Sequence, residues 1–178
     1  MYQFWNKKNW SYKKYKDAQV ALNKRKIKTI WVTKGGIEFI SQFVKGNGIC
    51  HGARNGFEVR EFNKYVNAIG TDISDTARRH GLIEWDFHKQ NPDWIGKFDF
   101  VYTNSFDHSH DPKLAFKVFM EQLKKGGKCI IHTDEKMEYL LPDHLGDCFG
   151  ASKEELMKMF DNPEFYTFNN RNIYIITK

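Results

Sequence analysis

The stretch GICHGARNG, Gly48 to Gly56, joins a short apolar run to a loop framed by Gly52 and Gly56. A strand that ends in such a loop and leads into a helix is a common cradle for nucleotide-type ligands. The glycines permit the turn and let backbone come close to a ligand. A helix is expected next, in FEVREFNKYV, with Val59, Phe62 and Val66 on one side. His51 and Arg54 stand where these loops usually carry an aliphatic residue and a glycine. Arginine at 54 argues against a nicotinamide-binding loop, which wants glycine there.

Outward from this loop the chain alternates strands and helices. NAIGTDIS, LIEWDF, FDFVYTNS and GKCIIHTD read as strands. DPKLAFKVFMEQLKKGG reads as a helix with Asp111 as cap, Pro112 in the first turn, lysines in the last turn and glycine at the stop. SKEELMKMF opens with Ser152 and Glu155 at capping-box spacing. FYTF, NNRN and IYIIT read as a closing β-hairpin. Upstream, SYKKYKDAQVALNKRK and GGIEFISQFV read as helices. Tyr15, Ala18 and Leu22 share a face of the first, and Ile37, Ile40 and Val44 a face of the second. The alternation implies an α/β fold: a mostly parallel sheet with helices on both faces and an antiparallel C-terminal hairpin. The chain is expected to be one domain, 1–178, with a basic helical extension at 1–45 and a core at 46–178.

In such sheets the ligand crevice lies beyond the carboxyl ends of the strands. Four strand ends carry informative residues: the Gly52 loop, Asp72 in GTDIS, Asp86 in WDF, and the polar run TNSFDHSHD, Thr103 to Asp111. An acid at the second strand end can accept both hydroxyls of a ribose. Asp86 can take a hydrogen bond from an adenine amino group, and a flanking ring can cover the base.

This ordered set, over roughly residues 37 to 178, resembles the class I S-adenosylmethionine-dependent methyltransferases. Within them it is similar to the short, type 11-like kind without a cap domain, which carries NSxDHSxDP after the fourth strand. GARNG falls at that family's glycine loop, GTDIS at its ribose acid, WDF at its adenine contact, and LKKGGKCIIH at its helix-GG-strand signature. The resemblance implies a Rossmann-like three-layer sandwich with seven strands, and S-adenosylmethionine as cofactor. It places Gly52, Ala53 and Gly56 at the methionine part, Asp72 on the ribose and Ile73 on the adenine. Asp86 and Phe87 fall at the adenine's edge and face, and Asn104 and Ser105 near the sulfonium and the acceptor. The chain departs from the family at Cys50, where an acid is usual, and at Arg54, where a glycine is usual. Arg54 is expected to meet the cofactor carboxylate instead.

His108 reads either as a general base near neutral pH or as a loop-shaping residue. His108 and His110 are spaced like metal ligands on a strand, but zinc needs three or four convergent ligands, so no metal is expected. His51 reads as a residue that packs or orients the loop, and Cys50 and Cys129 as buried apolar residues. Three unspaced cysteines read as free thiols in a reducing, cytoplasmic setting. No apolar run approaches the roughly 20 residues of a membrane span, and MYQFWNKKNW does not read as a secretory signal.

The formal net charge of +6 is uneven: residues 1–34 carry +9 and the remainder −3. The block suggests an anionic substrate or a polyanionic partner, or else a solvated helix face. The acceptor is expected to be a small molecule or carbohydrate, framed by Tyr2–Lys34 (with Trp5, Trp10, Tyr12 and Trp31) and by Glu135–Ala151, with room for a homodimer that completes the pocket. The alternative is a non-catalytic module of the same fold that holds cofactor or nucleic acid. Basic residues interleaved with aromatics permit the latter, without a recognised reading motif.

Overall fold

The computed structural model describes residues 10–134 and 147–178. Tyr2, Trp5 and most of Glu135–Ala151 lie outside them. The elements are α1 (Tyr12–Arg25), α2 (Lys34–Ser41), β1 (Asn47–His51), α3 (Phe57–Phe62), β2 (Asn67–Asp72), β3 (Ile83–Glu84), β4 (Phe98–Thr103), α4 (Pro112–Gln122), β5 (Leu123–Asp134), α5 (Lys153–Met159), β6 (Glu164–Phe168) and β7 (Arg171–Thr177). Short 3-10 turns cover Ala77–His80, Pro92–Trp94 and Phe106–His108.

Seven strands form one sheet in the order β3-β2-β1-β4-β5-β7-β6. The first five pair in parallel, and β7 runs antiparallel to both β5 and β6. The order reverses between β1 and β4, which opens the crevice at their carboxyl ends. The period-two pattern sorts side chains to two cores. Ile49, Cys129, Ile131 and Tyr174 face Ala115, Phe119 and Leu156 on the α4/α5 side. Cys50, Phe100, Tyr102, Ile130 and Ile173 face Ile37, Ile40, Val59 and Phe62 on the α2/α3 side. Ile37 and Ile40 are fully buried, so α2 is part of the core although it falls in the segment expected to be an extension. The hairpin turns at Asn169 and Asn170, both at positive φ (49° and 58°), where asparagine is tolerated.

Two elements differ from the sequence reading. α4 ends at Gln122, and LKKGG belongs to β5. Leu123 is fully buried and pairs with Phe98, and the N–H groups of Gly96 and Lys97 donate to the last helix carbonyls, at Glu121 and Gln122. The lysine that also reaches the Glu121 carbonyl is Lys178 from the end of β7, at 3.4 Å, and Lys124 pairs instead with Asp99. α3 stops at Phe62, because Asn63 turns the chain: its amide both donates to and accepts from the backbone of Ala68 at the start of β2. The caps agree with the sequence reading. Asp111 accepts from the Leu114 N–H, and Ser152 and Glu155 form both halves of a capping box.

Candidate functional site

The loop after β1 is set by sterics and by one carboxylate. Gly52 has φ +70°, and a Cβ there would lie 2.6 Å from the Ser105 Cβ, so only glycine lets this loop meet the end of β4. The Ser105 hydroxyl donates to the Gly52 carbonyl at 3.1 Å. Arg54 turns at positive φ (40°), and its backbone N–H donates to Asp72 Oδ2 at 2.9 Å. Asp72 Oδ1 accepts from the Ser74 N–H and from the Asn23 amide of α1, at 2.9 and 2.8 Å. Burial raises the Asp72 carboxyl, while these backbone donors and the Arg54 charge oppose the rise.

Asp86 is bound in the same way. Its Oδ1 accepts from the His88 N–H at 3.0 Å and lies 2.7 Å from His88 Nδ1, and its Oδ2 accepts from the Tyr12 hydroxyl of α1 at 2.7 Å. Burial pushes this carboxyl up, but the hydrogen bonds and charge of His88 outweigh it and hold Asp86 well below the usual range. Among the polar residues on the buried side of α1, Gln19 reaches Cys148 Sγ and Asn23 reaches Asp72. These roles of Gln19 and Asn23 are invisible to a reading that sought apolar residues on that face.

Two cavities open along this edge. One, of about 50 Å³, lies under α1 against Asp72, Ile73, Asp86 and Phe87. The other, of about 280 Å³, is bounded by Trp31, Glu58, Asn104, Asp107, Asp134 and Asp147 among others. Gly52, Arg54, Ser105 and His108 border both and mark their junction. Ala53 and Gly56 border neither: Ala53 is fully buried in the α2/α3 core, and Gly56 faces the His80 carbonyl as the left-handed cap of α3.

His108 Nδ1 lies 3.4 Å from Asp147 Oδ1, and its Nε2 lies 4.0 Å from Asp107 Oδ1. The segment bearing Asp147 is tied down by the N–H groups of Cys148 and Phe149, which donate to the Asp107 carbonyl. His108 and His110 fall into different clusters. Among the described residues, Asp107, His108 and Asp147 form one triplet with donor atoms within 4.8 Å of one another, and Asp86, His88 and His110 form a second. In the second, both His88 nitrogens are engaged, by Asp86 and by Ser109 Oγ at 2.7 Å, which makes it a hydrogen-bond relay rather than an open ligand set. His51 is buried between Thr71 and Gln122 and stacks on Phe119. Burial lowers its pKa to about 4, against the opposing hydrogen bond of Gln122, so it is a neutral packing residue. Cys50 and Cys129 are fully buried.

No protein-family model matches the chain, and no curated protein matches it in sequence. Solved structures do match in fold. A Burkholderia thailandensis 1,6-didemethyltoxoflavin-N1-methyltransferase, with bound 1,6-didemethyltoxoflavin and S-adenosylhomocysteine, superposes with a TM-score of 0.74 at 12% identity, over 94% of this chain and 90% of that one. A SAM-dependent methyltransferase from Aquifex aeolicus gives 0.67 at 12%, over 86% and 97%. One from Thermotoga maritima gives 0.59 at 19%, over 92% and 91%. The chain therefore has the Rossmann-like fold of the class I S-adenosylmethionine-dependent methyltransferases. No helix among the described residues is long and apolar enough to cross a membrane.

Proposed function

We propose that the chain is an S-adenosylmethionine-dependent methyltransferase acting on a small-molecule acceptor. The observation that carries this reading is the meeting of two cavities at Gly52, Arg54, Ser105 and His108, one bordered by adenosine-type residues and the other by acids and an imidazole. The donor set fits the cofactor. A carboxylate offers about four acceptor positions, and Asp72 and Asp86 each use three within the protein. One position remains on Asp72 for a ribose hydroxyl and one on Asp86 for an adenine amino group. Ile73 and Phe87 supply apolar walls, and Arg54 suits the cofactor carboxylate. The 50 Å³ space is too small for an adenosine, so seating one requires α1 to move outward.

When bound, the cofactor supplies a methyl group activated by a positive sulfur. The protein's task is to align the acceptor and exclude water. Ser105 borders the junction and Asn104 the larger cavity beside it, and both would position the acceptor. His108 would take the acceptor's proton, with Asp147 beside Nδ1 orienting the ring and stabilising the imidazolium. The 280 Å³ cavity is bordered by Glu58, Asp107, Asp134 and Asp147 against Lys26 and Arg54, a balance that favours a neutral or cationic acceptor over the anionic one suggested by the basic N-terminal block. The small-molecule neighbour with 1,6-didemethyltoxoflavin beside S-adenosylhomocysteine supports an acceptor of that size.

Calorimetric titration with S-adenosylmethionine and S-adenosylhomocysteine tests the binding half. Both should bind, and absence of heat with either defeats the reading. An acceptor screen that detects S-adenosylhomocysteine release tests turnover.

A further inference from the structure

Glu58, at the start of α3, borders the larger cavity and is only 6% exposed. Among the described residues, no other residue donates a hydrogen bond to its carboxylate and none forms an ion pair with it. Its own backbone N–H is the sole donor that reaches it. Its charge adds to burial in raising the Cys50 thiol on β1 and the Tyr102 hydroxyl on β4. A buried carboxylate without a partner is costly, and a cation entering beside it recovers that cost. Burial accordingly pushes Glu58 up to about 7, even though Arg54 and Arg60 act in the other direction.

We propose that Glu58 is the counter-charge for the α-ammonium group at the methionine end of the cofactor, so that α3 supplies the acid that β1, with Cys50, does not. The assignment rests on the reading that this crevice binds S-adenosylmethionine. Arg54, which borders the same cavity, would take the α-carboxylate, so one zwitterion would meet one acid and one base from a five-residue stretch of chain.

The test compares two ligands that differ in that zwitterion. S-adenosylhomocysteine carries the ammonium, and 5′-methylthioadenosine keeps the adenosine and the thioether without it. Dissociation constants are measured at pH 8 for the wild type and for Glu58→Gln, whose side chain has the shape of the protonated acid; thermal melting confirms that the variant folds. Glu58→Gln should weaken S-adenosylhomocysteine by about 10- to 100-fold, the range for a lost hydrogen bond to a charged group, and leave 5′-methylthioadenosine within about twofold. Equal losses for both ligands would make Glu58 a structural residue, and no loss for either would leave the ammonium bound elsewhere; each overturns the proposal. A wild type that binds neither ligand would overturn the methyltransferase reading and this assignment with it.

A second readout is the pH slope. Wild-type affinity for S-adenosylhomocysteine should fall as pH drops through about 7 and level off after the same total loss of about 10- to 100-fold, and this dependence should vanish in Glu58→Gln. Taking the difference between the two proteins cancels groups they share around the site: Arg54, Arg60, Asp72, Cys50, Tyr102 and His108. Identical slopes would also overturn the proposal.

Discussion

At one end of the crevice Asp86, 7% exposed, accepts three hydrogen bonds and is held well below the usual carboxylate range. At the other, Glu58, 6% exposed, receives none from any other of the described residues and is pushed up to about 7. Both acids are nearly out of solvent and the outcomes are opposite: greater depth with few donors raises Glu58, while three donors hold Asp86 down. Asp86 is held as a carboxylate by the protein's own donors. In the proposed reading, Glu58 at the methionine end is further stabilised as a charge when a cation arrives.

Four substitutions press on this contrast, from the largest expected effect to the smallest. His108→Asn should lower turnover about 10²- to 10⁴-fold, the usual worth of a general base, while S-adenosylhomocysteine binding by calorimetry stays unchanged. Unchanged turnover would make His108 a loop-shaping residue. Asp86→Ala should destabilise the protein by about 3 kcal/mol in urea unfolding, because His88 and Tyr12 lose a buried partner. A cost near zero would mean that these hydrogen bonds do not hold Asp86 in the folded protein.

Glu58→Gln should act on stability with the reverse sign. The folded pKa of about 7 lies above the ordinary 4.5, so this group's favourable contribution is complete below about pH 4.5 and is lost as pH rises through 7. The ligand-free variant should therefore match wild type near pH 4.5 and exceed it at pH 8 by up to about 3 kcal/mol, at 1.36 kcal/mol per pKa unit. A variant that is less stable at pH 8 would contradict an unpaired Glu58. Ser152→Ala, at the capping box of α5 and away from both cavities, should cost about 1 kcal/mol and leave ligand binding untouched.

Much of the fold was legible because it rests on local rules. Period-two strands, Asp111 before Pro112, the Ser152 and Glu155 pair, and the Asn169-Asn170 turn each mark an element without knowledge of its neighbours. The start of β5 was not legible, because the carbonyls that end α4 are satisfied by Gly96 and Lys97 from a distant loop. The site divides in the same way. Asp72 ends β2, and Asp86, Asn104, Ser105 and His108 follow β3 and β4, so reasoning from strand ends reaches these candidates. Asn23, Asp147 and Glu58 take their places through tertiary packing, and FEVREF marks Glu58 only as one polar residue of a short helix. The one sequence signal that pointed toward Glu58 was indirect: Cys50 stands where an acid was expected.

The most direct measurement of the central claim is the calorimetric titration of S-adenosylhomocysteine into wild type and Asp72→Asn, with both proteins shown to be folded by thermal melting. Clear binding to wild type and a loss of about tenfold or more in the variant, as expected for a lost hydrogen bond to a charged group, is the predicted result. No binding to wild type, or equal binding to both proteins, would contradict a cofactor seated on Asp72.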